Sequence, residues 1–499
     1  MDRHGARRLL LVAVAIGIAA EVLLYGPALG INVPLIVAAV LGAGWVLRRR
    51  GRAPDPLDAW LPLAALVLAS LVAIRADPFL GLLDIAAAAA LTGAALAAFS
   101  GLPVTRRSAS VVVATGAWVF ESALGGMARV LRDARPPRDA DAPRRPPAWA
   151  APVARGLVLA VPLALIFAVL FASADPIFRR GFDDVLGLRI DLGDLPGRVL
   201  FVVAVAWLVG GLLRVSAVGI SELERASLGA AARSTPIASG RQLGPTEAIT
   251  VLIGVDLVVG LFVALQVAYL FGGLDTLAAA GMTYSDYARR GYFELAAAAG
   301  LAGGLLVALE YAVARRTRPY VALAIGLVGL TVVVLASAAL RLQLYQDAYG
   351  WTELRLYVAV SIAAMAVTLV AMAAALATDR TRWVGHVMAV TGLVALMGLN
   401  VLAPAAFVAQ RNVDRVIDPT LVPPDGWAGL DVEYLAVLPD DAIPVLVDAL
   451  PRLPEAERDD VARLLYTRRW ELASDPAFAS PAAWNLGRER AKAALATLP

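Results

Sequence analysis

Apolar runs long enough to cross a bilayer recur along this chain, and they limit its fold more than any other feature. A hydrocarbon core about 30 Å thick takes about 20 apolar residues in a helix. Stretches of that kind cover residues 9–29, 31–47, 57–74, 79–99, 154–173, 196–214, 245–271, 291–314, 319–341, 354–377 and 383–409. They predict an all-α, polytopic helical membrane protein with about eleven transmembrane helices, since a backbone in lipid must satisfy its own polar groups. Composition agrees: 60% of residues are hydrophobic and 17% charged, against about half and about a quarter in a soluble domain. An ordinary soluble enzyme is excluded.

Small counts remove further classes. The chain has no Cys and two His, His4 and His386, so disulfides, thiolate metal sites and cysteine nucleophiles are impossible. A His-rich zinc site or a bis-His haem has too few ligands. No metal and no other cofactor is expected. Among 44 cationic side chains only Lys492 is lysine, and the net charge is +3. In a membrane protein excess Arg belongs to cytoplasmic loops, so no nucleic-acid partner is inferred.

Those Arg groups orient the chain. Arg3/Arg7/Arg8, Arg48–Arg50 and Arg106/Arg107 alternate as an inside amino terminus requires. The later groups, at 129–155, 214–241, 315–318 and 380–382, alternate among themselves. The two sets agree when residues 108–128, which carry Glu121 and several Gly and Ser breaks, make no net crossing. The organisation read from this is N-terminal membrane segments over 1–128, an Arg- and Pro-rich cytoplasmic linker over 129–153, a main transmembrane domain over 154–410, and a small helical extracytoplasmic domain over 411–499. In that last domain Ser480-Pro481 reads as a cap followed by Pro at the first helical position. Val461, Leu464, Leu465 and Leu472 share a helical face there, and residues 442–450 suit a helix packed on it.

Polar residues gather on the side opposite the Arg loops. In residues 283–294, Asp286, Arg290 and Glu294 follow one another at one-turn spacing, with Arg289 beside them and Tyr284 and Tyr287 on a nearby face. A second group holds Arg341, Tyr345, Tyr349, Trp351, Glu353, Arg355 and Tyr357. Two readings fit: an interfacial amphipathic helix with self-satisfied ion pairs, or an Arg-lined patch for an anionic headgroup or glycan. The connection at 315–318 is short, so the two groups are expected to meet. Arg289 or Arg290 should reach Glu353 or the Tyr345–Tyr349 loop, and Glu294 should be more buried than Asp286. Inside the spans Asp256 is the conspicuous charge, a candidate intramembrane relay, with Gln266 farther along its helix. Glu21, Asp84 and Glu310 lie where their heads can snorkel to the surface.

No P-loop, GxSxG, HExxH or helix-opening GxGxxG occurs. At TYSDYARRGYFEL (283–295) and YGWTELRLY (349–357) the chain resembles a bacterial family of multi-pass membrane proteins, the domain of unknown function DUF-four-one-seven-three. NVDRVIDPT near 412 and LDVEYLAVLPDDAIPVLVDALP (430–451) extend the resemblance over roughly residues 155–450, while PTLVPPDGW departs from it. The resemblance implies a multi-pass protein of the bacterial cytoplasmic membrane with no assigned activity. A non-enzymatic scaffold or sensor, binding membrane lipid headgroups or an envelope protein at its outer face, is the leading expectation. A secondary transporter using Asp256 and a membrane transferase using Arg289, Arg290 and Glu294 or Glu353 are the alternatives.

Overall fold

The computed structural model describes residues 1–48, 53–135, 195–218, 243–271, 291–313, 315–424 and 426–499, and its regular elements are helices. Six of them share the first core: α1 (Arg3–Leu24), α2 (Asn32–Leu47), α3 (Trp60–Leu71), α4 (Pro78–Phe99), α5 (Ala109–Ala134) and α6 (Leu195–Ala217). Leu9, Ala13, Leu96, Val130 and Leu213 are buried at its centre. Glycines let these helices approach closely. A Cβ added to Gly17 of α1 would stand 2.8 Å from the Val202 carbonyl of α6, and one on Gly126 of α5 would stand 2.9 Å from the Gly211 Cα of α6. Membrane helices pack through such small residues because lipid offers no hydrophobic drive between them.

The second core is built by α7 (Pro245–Phe271), α8 (Tyr292–Ala312), α9 (Arg318–Tyr349) and α10 (Glu353–Ala377), around Leu252, Leu306, Leu327, Leu335 and Leu369. α9 has 32 residues, about 48 Å at 1.5 Å per residue, so its end projects beyond a hydrocarbon core. Next, α11 (Val384–Leu402) closes the seam between the two bundles. Leu396 and Leu399 of α11 are buried against Leu80 and Ala88 of α4 and Leu68 of α3.

Among the described residues, eight helices are long and apolar enough to cross a membrane. Seven fall on expected segments; the eighth is Val111–Ala134. The expected segment at 9–29 forms α1, which is not one of the eight; those at 31–47 and 57–74 form helices of 16 and 12 residues, and the one at 154–173 lies outside the described residues. The segment expected over 383–409 is divided. Ala403 takes a left-handed φ of 55° and Pro404 opens α12 (Pro404–Ile417), because a proline supplies no amide to the preceding turn and its ring would clash there.

The helix α5 meets the length of a span, yet both its ends are tied to one end of the first bundle. Just before it, Asp58 accepts the amides of Val104 at 2.9 Å and Thr105 at 2.8 Å, next to the start of α3. At its far end the Asp133 carboxylate lies 3.7 Å from the amino terminus, next to the start of α1.

Beyond α12 come α13 (Val432–Val437), α14 (Ile443–Ala449), α15 (Glu455–Ser474) and α16 (Leu486–Leu495). Val461, Leu465 and Leu472 of α15 are buried together with Ile443, Leu446 and Ala449 of α14, as the helical spacing predicts; Leu464 packs at the margin. Ser480 caps a single 3-10 turn, Pro481–Ala483. This C-terminal unit docks on two turns of the first bundle. Ala28 N–H donates to Ala477 O and Ile31 N–H to Trp484 O, both at 2.9 Å, while Leu486 N–H donates to Ala73 O at 2.8 Å. It therefore sits at the end of α1 opposite the amino terminus.

Candidate functional site

Where the C-terminal unit meets the bundles, polar side chains converge from four elements. The α3–α4 turn supplies Arg75 and Asp77. Asp77 is buried and caps α4 with one oxygen, accepting Phe79 N–H at 2.9 Å and Leu80 N–H at 3.0 Å. Its other oxygen accepts the Tyr357 hydroxyl of α10 at 2.9 Å. One turn and a half into α4, Asp84 is fully buried, and Asn400 of α11 donates to its Oδ1 at 2.9 Å. Asp84 was expected to snorkel. It faces the seam instead, on the stripe shared by Leu80 and Ala88, where α11 covers it.

The C-terminal unit joins the same group. Asp441 accepts the Ala76 amide at 2.8 Å, and Asn485 donates to the carbonyls of Val72 at 2.8 Å and Arg75 at 2.7 Å. Burial pushes the Asp441 carboxyl above the ordinary carboxylate range, opposed by the Ala76 hydrogen bond and Arg75. Burial raises Asp440 in the same way, opposed by Arg468 and Arg488. Tyr434 of α13 accepts the Glu353 amide at 2.8 Å, and burial drives its hydroxyl up to about 12, so it remains a phenol. The Glu353 carboxyl stands within electrostatic reach of Asp77 and Asp441. Acids outnumber bases here, yet no three His, Asp or Glu side chains among the described residues are placed to hold a metal.

Beside this junction lies a cleft of about 610 Å³ between the C-terminal unit and the first bundle. The bundle contributes Leu29, Val72, Arg75, Asp77 and Gly81. The opposite wall carries Asp440, Arg468, Trp470, Glu471, Asp475 and Arg488. Its lining is apolar with charges of both signs, and Trp470 is 70% exposed.

The expected outer-face residues divide into several groups. Tyr284, Asp286, Tyr287, Arg289 and Arg290 lie outside the described residues. Glu294 is exposed on the first turn of α8. Tyr345 packs against Tyr292 of α8 at 5.9 Å and Tyr349 at 5.2 Å between ring centres, and the Arg355 guanidinium lies 4.1 Å over its ring. Arg341 approaches Gly291: a Cβ there would stand 3.0 Å from an Arg341 nitrogen. The segments 291–294 and 341–345 thus lie together. Glu353 faces away from them, toward Tyr434 and Asp77. Arg355 is held by the Gly350 carbonyl at 2.6 Å, a contact that fixes the turn.

Two residues that no composition signal marks lock that turn. Asn412 accepts Trp351 N–H at 2.8 Å and donates to Trp351 O at 2.9 Å. Arg415 donates to the carbonyls of Gln346 at 3.1 Å, Asp347, Ala348 at 3.2 Å and Trp427 at 2.8 Å. At the end of α9 the Gln346 carbonyl also accepts the Gly350 amide and the Ala348 carbonyl the Trp427 amide, both at 2.9 Å, so the guanidinium completes carbonyls that the helix end leaves short of donors. Motifs NVDR and YGW, some sixty residues apart, are two halves of one lock.

Asp256 lies on α7 facing Gly326 of α9, and its Oδ1 is buried without a hydrogen-bond partner. Gln266 donates to Ser337 of α9 at 2.8 Å. Glu21 pairs with Arg198 at 2.6 Å, and Glu310 pairs with Arg316 at 2.7 Å while accepting the Tyr320 hydroxyl at 3.0 Å.

No curated protein and no solved structure matches the chain. A family model does, over residues 63–449, and its description is a domain of unknown function, DUF4153. A family of that kind is what the motifs led us to expect, under the number DUF4153 in place of four-one-seven-three. The match takes in α4, α10, α11, α12 and the Asp441 clasp, and covers well over half of the sequence. This multi-pass helical protein belongs to the DUF4153 family.

Proposed function

We propose that the protein is a non-enzymatic lipid sensor of the bacterial cytoplasmic membrane that takes a phospholipid headgroup in the cleft between its C-terminal unit and first bundle. The observation that carries this reading is the cleft itself: one wall is built from the turns between apolar helices, the other from the C-terminal unit, which this reading puts outside the bilayer. A headgroup seated there would touch both walls at once. The charges favour a zwitterionic head. Arg75, Arg468 and Arg488 suit a phosphate, while Asp77, Asp440, Glu471 and Asp475 suit an ammonium group; a purely anionic head would compete with Glu471 for Arg468 and with Asp440 for Arg488. Trp470 has the place and exposure of an interfacial anchor. By the Arg-rich loops the cleft faces outward and the amino terminus inward.

The transferase reading gains no support: Glu294 is exposed on the first turn of α8, while Glu353 lies toward Tyr434 and Asp77. Native mass spectrometry of the purified full chain tests the proposal. Phosphatidylethanolamine should remain bound to the wild type and be lost in Trp470→Ala and Leu29→Ser, both exposed cleft positions. Equal retention by both variants, or preference for phosphatidylglycerol, would reject it.

A further inference from the structure

The seam between α4 and α11 holds two buried acceptors that face a shortage of donors. Asp84 is fully buried and Asn400 is 2% exposed. Asn400 Nδ2 donates to Asp84 Oδ1 at 2.9 Å and to the Leu396 carbonyl at 3.0 Å. The remaining oxygens of the same two side chains, Asp84 Oδ2 and Asn400 Oδ1, are both buried and both without a partner. Two unsatisfied acceptors in an apolar seam are costly, and more so when one belongs to a carboxylate. Leu80, Ala88, Leu396 and Leu399 surround them and offer nothing to donate.

We propose that Asp84 and Asn400 form a proton-binding site: a proton on Asp84 Oδ2, donated to Asn400 Oδ1, closes a two-bond acid–amide pair that clasps α4 to α11. With the proton present, each of the four side-chain groups of the pair has a partner. Release of the proton leaves a carboxylate oxygen against an amide oxygen, and the seam loosens. A metal cation is a poorer occupant, since it needs several oxygen ligands and just two orphan oxygens are available at the pair. The titratable and charged groups around it are Asp77 and Arg75 from the α3–α4 turn and Tyr357 and Glu353 from α10. Of these, Arg75 is engaged by the backbone carbonyl of Asn400 at 2.7 Å. Asp77 both interacts with Asp84 and lines the cleft, which gives the proton a route to water. This site does not depend on which headgroup, if any, the cleft takes.

Infrared difference spectroscopy of the full chain in nanodiscs tests the proposal. At neutral pH the wild type should show a deuterium-sensitive carboxylic-acid carbonyl band that is absent in Asp84→Asn. In Asn400→Ala the band should persist at higher wavenumber, because the acid loses its amide partner. Thermal stability supplies a second reading if Asp84→Asn folds poorly: Asn400→Asp, with one proton shared between two carboxyls, should fold and lose stability more steeply than the wild type as pH rises. An unchanged infrared band in Asp84→Asn would overturn the proposal. So would a wild-type stability that follows sodium concentration in place of pH.

Discussion

Arg75 Nε donates to the main-chain carbonyl of Asn400 at 2.7 Å, across 325 residues of sequence. That carbonyl is the one whose helical donor would be the amide of residue 404, and residue 404 is proline. A side chain from the first bundle thus supplies the hydrogen bond that Pro404 removes from α11, and a second nitrogen reaches the Val401 carbonyl at 3.4 Å. The helix break that turns the chain into the C-terminal unit and the contact that ties the two bundles together are the same event.

Replacing Arg75 by Ala should therefore lower stability by about 1–3 kcal/mol, the usual cost of orphaning a buried acceptor. Pro404→Ala restores a backbone amide at that position. The loss caused by Arg75→Ala should be smaller in a Pro404→Ala background, with a coupling of about 0.5–3 kcal/mol in a double-mutant cycle of unfolding midpoints in detergent. Strict additivity would show that Arg75 acts on something other than this carbonyl.

Arg415 is the corresponding device at the end of α9. Its guanidinium serves four carbonyls, and burial lowers its proton affinity against the opposing pull of Asp347. A lysine offers a compact ammonium in place of a planar fork, so Arg415→Lys should fail nearly as badly as Arg415→Met. For either change we expect a loss of about 3 kcal/mol or more, the scale of a broken buried charge-assisted network. Limited proteolysis should then cut within residues 418–431, and wild-type protease resistance in Arg415→Lys would count against the fork.

Much of this architecture is legible in the sequence because its signals are local. Apolar length marks the spans, and spacing marks the face of α15 on which Val461, Leu465 and Leu472 are buried. Pro404 is equally local, but the apolar run continues past it, so length alone joined α11 to α12. The site was less legible. Asp84 is one carboxylate near a span end, where snorkelling is the ordinary outcome, and its partner Asn400 lies 316 residues away. Nothing within either segment announces the other. The same holds for Arg415, whose composition signal is that of any surface Arg.

The docking of the C-terminal unit should weaken as pH rises. Burial raises Asp441, and Asp440 beside it, above their unfolded values. Groups of this kind contribute stability that is complete below the unfolded value, about 3.9 for Asp, and is lost as pH climbs through the raised folded value. Asp441→Asn keeps an oxygen for the Ala76 amide and has no charge to bury. Its docking, followed by hydrogen exchange at Ala76, Leu486 and Gly487, should depend less on pH than that of the wild type. An identical pH profile for both proteins would remove Asp441 from the clasp.

Because the chain has no cysteine, any single introduced thiol reports its own position without background. The contact between Asp133 and the amino terminus puts the end of α5 beside the start of α1. The bond from Ala28 to Ala477 puts the C-terminal unit beside the far end of α1. Cysteines at His4 and Arg135 should therefore share one accessibility to a membrane-impermeant maleimide in intact cells, and cysteines at Leu29 and Trp470 should share the opposite one. The Arg-rich loops assign the first pair to the cytoplasm, so labelling is expected at Leu29 and Trp470 and only after lysis at His4 and Arg135. Labelling of Arg135 together with Leu29 would mean that α5 runs through the bilayer, and the linker after it would then lie outside, against the charge rule. Labelling of His4 with Trp470 protected would leave the fold intact and reverse its orientation, placing the cleft on the inner leaflet.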